Sequence, residues 1–116
     1  LPAMALTTDS SVLTAVANDY DFSDVFSRQV GALAKEGDVL VGISTSGNSK
    51  NVINALKKGR EIGTKNISLT GNDGGEMKEV SDVNINSSSD NTPRIQECHM
   101  TAYHVICEIV EKEMFR

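Results

Sequence analysis

Apolar residues along the chain fall into short runs separated by polar, glycine-bearing turns. The clearest run is Val39-Leu-Val-Gly-Ile43, β-branched-rich and short enough for a strand buried on both faces. It reads as the central strand. Directly after it, Ser44-Thr-Ser-Gly-Asn-Ser49 places four hydroxyls and one glycine in six residues. Val52, Ile53 and Leu56 then recur on one face of a helix running to about Glu61, with Gly63 placed as its C′ residue.

The remaining chain alternates in the same way. Leu1-Pro-Ala-Met-Ala-Leu6 reads as a buried strand, and Thr8-Asp-Ser-Ser11 offers caps for a short helix closing at Asn18-Asp19-Tyr20. Asp21 or Ser23 caps the next helix, in which Val25, Phe26, Val30 and Leu33 have helical spacing before Glu36-Gly-Asp38 ends it. Asn66-Ile-Ser-Leu-Thr70 is a strand, Gly71-Asn-Asp-Gly-Gly75 a turn that needs positive φ, and Glu76 to Val80 one or two helical turns. Asp82-Val-Asn-Ile-Asn86 alternates apolar and polar residues, as a strand near a sheet edge does. After the polar loop Ser87 to Pro93, Thr92 and Pro93 form an N-cap and N1 pair for a long helix reaching about Met114. Strands alternating with helices predict an α/β fold, a three-layer αβα sandwich around a parallel sheet.

Length and charge narrow the class. A chain of 116 residues builds one domain, residues 1–116, with enough core to bury most of its apolar surface. A net charge of −5 without a Lys/Arg run argues against nucleic acid. Cys98 and Cys107 are nine apart on one predicted helix and point to opposite sides, which fits a reducing cytoplasm better than a disulfide framework. No apolar run reaches membrane-spanning length.

Strand, small polar turn and helix N-terminus together make an anion site, because unpaired N–H groups and the positive end of the helix dipole face one point. Hydroxyls add donors without bulk, and capping alone needs one hydroxyl where this turn supplies four. In parallel sheets ligands sit at the carboxyl ends of strands, where this turn falls. On the last helix Gln96 and His104 are about 80° and about 12 Å apart, with Met100 between them. His99 lies roughly 140° round from His104, so one ion cannot easily use both. The Gly71–Gly75 turn lacks the spacing of a phosphate loop and reads as structural.

Leu1-Pro-Ala-Met-Ala-Leu6, Ala17-Asn-Asp19, Gly37 to Ser49, Leu69-Thr-Gly71 and Arg94-Ile-Gln-Glu-Cys-His99 together resemble the bacterial phosphoheptose isomerases of the sugar isomerase (SIS) domain superfamily. The resemblance implies a SIS domain with a Rossmann-like sheet, here lacking its N-terminal helices and first strand. It implies that Ser44, Thr45, Ser46 and Ser49 hold the substrate phosphate, that Asn18, Asp19 and Gln96 touch the sugar, and that Gln96 and His104 ligate zinc. His104 would be the catalytic acid or base, imidazole being the side chain that titrates near neutral pH. The family's catalytic Glu belongs to a segment before Leu1, so this chain alone is expected to be inactive. Some members carry Asp where Pro93 stands, and any polar contact of that side chain is lost here. The implied protein is a cytoplasmic homotetramer converting sedoheptulose 7-phosphate to D-glycero-D-manno-heptose 7-phosphate. Two other classes share the turn: a non-catalytic scaffold associated with the replication initiator, and a sugar-phosphate sensor. The scaffold has Arg in place of Ser46 and Asn in place of His104, and this chain keeps both isomerase residues.

Overall fold

The computed structural model describes residues 1–115. Three strands, β1 (Val39–Ser44), β2 (Lys65–Gly71) and β3 (Val83–Ser87), form one parallel sheet in the order β1-β2-β3. The middle position therefore belongs to β2, the best buried strand although less apolar than β1, and not to β1. The expected strand at Leu1–Leu6 does not form. Those residues are irregular and mostly exposed, β1 has no described strand on its outer side, and a strand without a partner leaves its backbone groups to water.

The helices α1 (Ser10–Asp19), α2 (Val25–Leu33), α3 (Lys50–Ile62), α4 (Gly75–Glu79) and α5 (Thr92–Met114) divide between the two sides. One face of the sheet packs on α3 and α4: a Cβ at Gly42 would meet Val52, Leu56 and Met77. Here lies the apolar centre, Ile53, Leu56, Met77 and Val80, with Leu40 and Val52 packed against it. The opposite face packs on α5, but only over β2 and β3. Val39, Val41 and Ile43 are therefore 59%, 49% and 49% exposed, against the expectation that this strand is buried on both faces. α2 lies along α3, with Val25 and Val30 buried and Gln29 Nε2 donating to the carbonyls of Val25 and Leu6.

The expected caps appear with small shifts. Asp9 accepts from Val12 N at the start of α1, and Asp21 accepts from Ser23 N before a 3₁₀ turn (Phe22–Asp24) that leads into α2. Gly63 closes α3 with φ 100°, a conformation costly for any residue with a Cβ. At α5 the cap is Asn91 rather than Thr92, which becomes the first helical residue ahead of Pro93.

Between β2 and β3 the polar residues facing α4 bond to each other. Asn84 Nδ2 donates to Ser68 Oγ and Thr70 Oγ1, both at 2.8 Å, and Thr70 Oγ1 donates to Asn86 Oδ1 at 3.0 Å. At the other end of β2, fully buried Asn66 donates through Nδ2 to Leu56 O (2.7 Å) and Val80 O (3.1 Å) and accepts from Thr64 Oγ1. Its backbone N–H donates to Asp82 Oδ2 at 2.7 Å, which holds that carboxyl below its ordinary range, with smaller help from Lys65 and Arg60.

Asn66→Ala should remove the hydrogen bonds to the Leu56 and Val80 carbonyls and leave the buried Thr64 hydroxyl without this acceptor, costing roughly 2–4 kcal/mol, read from urea denaturation midpoints. Asp82 adds a pH dependence. Because its folded pKa is depressed, its contribution is present above about pH 4 and is lost as pH falls through the lower folded value. Asp82→Asn should therefore flatten the stability–pH curve on its acid side, below about pH 4, read from urea midpoints measured across that range.

Candidate functional site

The serine turn lies at the carboxyl end of β1, and its hydroxyls are organised around Ser44. Ser44 is buried, and its Oγ is 2.8 Å from Ser49 Oγ and 3.3 Å from Ser46 Oγ. Ser49 is the N-cap residue of α3, yet its side chain makes no cap hydrogen bond. Its hydroxyl turns toward Ser44 instead, so the four hydroxyls do not serve the helix as caps. Asn48 shapes the loop: its N–H donates to Ser46 Oγ and its Nδ2 to Ser46 O, both at 3.1 Å.

The turn is held from behind by the glycine turn that follows β2. Met77 N donates to Gly47 O and Glu76 N to Asn48 Oδ1, each at 2.9 Å, and Asn72 Nδ2 reaches Thr45 O at 3.3 Å. The two backbones touch directly. A Cβ on Gly47 would collide with Gly74 O, and one on Gly75 would come within 2.5 Å of Gly47 O. All three glycines have positive φ. The amides at the start of α4 are thereby used to fix the serine turn, which accounts for the second glycine-rich loop without giving it a ligand of its own.

A cavity of about 540 Å³ opens in front of the turn, lined by Ile43, Ser44, Thr45, Ser46 and Ser49 and by Gln96, His99, Met100 and Tyr103 of α5. The structure thus brings Ser44, Thr45, Ser46, Ser49 and Gln96 together. It does not bring Asn18, Asp19 or His104 to this cavity. Asn18 Nδ2 bonds Asp19 Oδ1 at 2.8 Å on the exposed end of α1. His104 is exposed, its ring 5.1 Å from that of Tyr103, and lines a neighbouring groove of about 610 Å³ with Thr101, Cys107 and Glu108. Met100 lines both spaces.

Gln96 and His104 offer two neutral donors, too few to close a zinc shell of about four ligands. Among the described residues no group of three or more His, Cys, Asp or Glu side chains could hold a metal ion. The residues of this chain do not by themselves make a zinc centre. Both cysteines are free and exposed, and among the described residues no helix is long and apolar enough to cross a membrane. One pocket residue, His99, was not among the site residues expected from sequence. Its signal was available, since it sits one turn from Ile95 on the buried stripe, but a histidine on such a stripe reads first as packing.

The chain is thus an α/β domain with a parallel sheet between helices and a hydroxyl-rich turn at a strand's carboxyl end. The SIS domain family matches residues 1–71, and the chain belongs to that family. Among its relatives, the phosphoheptose isomerase of Aliarcobacter butzleri is 59% identical over 114 residues, covering 98% of this chain and 60% of the relative. That of Geotalea uraniireducens is 56% identical over 115 residues, covering 99% and 61%. Two solved structures are similar: the phosphoheptose isomerase of Neisseria gonorrhoeae (TM-score 0.93, 52% identity, 95% of this chain and 62% of that one) and one from Francisella tularensis (TM-score 0.94, 41% identity, 97% and 60%). The chain spans about three fifths of the length of these relatives.

Gly47→Ala should force the two turns apart and cost about 1–3 kcal/mol in strain. In thermal melts, stabilisation of the chain by inorganic phosphate should vanish with it, whereas Gly31→Ala on α2, whose Cβ would meet only Lys58 Cε at 3.4 Å, should keep the phosphate response.

Proposed function

We propose that this chain carries the phosphate-holding part of a phosphoheptose isomerase, which interconverts sedoheptulose 7-phosphate and D-glycero-D-manno-heptose 7-phosphate in bacterial heptose synthesis. The observation that carries this reading is the Ser44–Ser46–Ser49 hydroxyl cluster, unspent on capping and open to one cavity with Gln96. Relatives of that name, matched across nearly the whole chain, support it.

In this reading Ser44, Thr45, Ser46 and Ser49 bind the phosphate oxyanions together with the amides at the start of α3. Gln96 hydrogen-bonds the sugar over the turn, and Asn18 and Asp19 do so from the end of α1 once substrate or another subunit reaches them. The reaction moves a proton between adjacent carbons through an ene-diol: a base takes the proton acidified by the neighbouring carbonyl and an acid manages the oxygen. His104 is the acid or base of this chain, and its carboxylate partner, a Glu, lies outside residues 1–116. Zinc, if the whole protein binds it, uses Gln96 and His104 as two ligands and needs the rest from outside these residues. A homotetramer would supply such groups, and the reading places the protein in the cytoplasm.

Charge and bulk distinguish this reading from the scaffold of similar fold. In the whole protein, Ser49→Ala should raise KM, a hydrogen bond to a charged group being worth roughly 1.5–3 kcal/mol. Ser46→Arg should raise it further, since its side chain fills the phosphate position. His104→Asn should abolish turnover while leaving the fold and oligomer intact, measured by the isomerisation rate and by size. A near wild-type rate for His104→Asn would remove it from the mechanism and favour the scaffold.

A further inference from the structure

Only two residues of α5 are buried, Ile95 and His99, one helical turn apart. Both meet the carboxyl end of β2. Ile95 packs where a Cβ on Gly71 would stand, and His99 Nε2 lies 2.9 Å from Thr70 O. A carbonyl oxygen only accepts, so Nε2 carries the hydrogen, and in the neutral ring Nδ1 keeps a lone pair. That Nδ1 is the one buried side-chain nitrogen or oxygen among the described residues without a hydrogen-bond partner, in a residue 4% exposed.

An apolar side chain would fill the same space but take this donor from the Thr70 carbonyl, so the histidine is held here by its hydrogen bond as well as by packing. What the histidine adds is direction. The Ile95 contact fixes how close α5 comes to the sheet but leaves it free to roll about its axis. A hydrogen bond to a strand carbonyl does not, because it weakens steeply when its angle is lost. At 100° per residue, a small roll moves Gln96, one position from Ile95, away from the serine turn. Met100 and Tyr103, one and four positions beyond His99, line the same cavity and would roll with it.

We propose that His99 is a positioning residue, whose Nε2–H bond to the Thr70 carbonyl sets the roll of α5 so that Gln96 stands over the serine turn. This rests on the reading of that turn as the phosphate-holding end of the sugar site.

The test uses the 116-residue chain with inorganic phosphate and with sedoheptulose 7-phosphate. His99→Leu removes the donor and the orphan together, while His99→Gln restores a donor of similar reach. The expected result for His99→Leu is unchanged phosphate affinity and a fall of about tenfold or more for the sugar phosphate. The Gln96 side-chain amide signals should move in parallel, and His99→Gln should recover both. Wild-type sugar-phosphate affinity in His99→Leu, or a glutamine variant as weak as the leucine one, would overturn the proposal. The ¹⁵N spectrum of the wild-type imidazole gives a check independent of any variant: protonated Nε2 with bare Nδ1 supports it, and the opposite tautomer rejects it. If wild-type chain binds neither ligand, the phosphate reading of the turn fails, while the Gln96 signals and the tautomer still decide the role of His99.

Discussion

The site depends on two backbones touching with no side chain between them. The serine turn after β1 can curl into a hydroxyl cluster only because Gly47 rests against Gly74 and Gly75, and because the first amides of α4 bond to Gly47 and Asn48. Turns rich in small polar residues are ordinarily mobile, since little apolar surface holds them. Here the loop after the neighbouring strand supplies the rigidity. Preorganised donors are what an anion site requires, because donors that must first be gathered lose that ordering cost from the binding energy. The parallel sheet makes the arrangement possible, since it delivers both loops to the same end.

Much of this was legible in the sequence because it rests on local rules. Ser44 to Ser49 after an apolar strand announced the turn, Gly63 announced the end of α3, and Gly71 to Gly75 announced positive φ, found at Asn72, Gly74 and Gly75. The misreadings were of a different kind. Val39, Val41 and Ile43 look like a strand buried on both faces, but burial depends on where α5 crosses, and it crosses β2 and β3. Leu1–Leu6 has strand composition, but a strand exists only beside another. His99 shares its stripe with Ile95, and nothing in its spacing tells that the ring reaches a strand carbonyl. Contacts distant in sequence decided all three.

The long helix α5 is the least supported element relative to its size. Its first half is anchored at the carboxyl end of β2, while Tyr103, Val105, Ile109, Val110 and Met114 stand exposed beyond the anchor. The residues placed on this helix therefore differ in how firmly they are set. Gln96 lies between the two anchors and shares the cavity of the serine turn, whereas His104 lies past them on a surface shared with no other element. The different surroundings of Gln96 and His104 follow from where the helix is held.

The bonded asparagines, serine and threonine between β2 and β3 also constrain the register of the sheet. A slip of β3 by one residue is rejected by water, since it would turn Ile85 and its neighbours to the wrong side. A slip by two keeps every apolar residue on its proper side, so hydrophobicity cannot detect it. Polar pairing can. Displaced by two, β3 would take Asp82 away from the Asn66 N–H and leave one of the Ser68–Asn84 and Thr70–Asn86 rungs without its mate. The sheet thus carries two error checks of different physical origin, one for odd displacements and one for even.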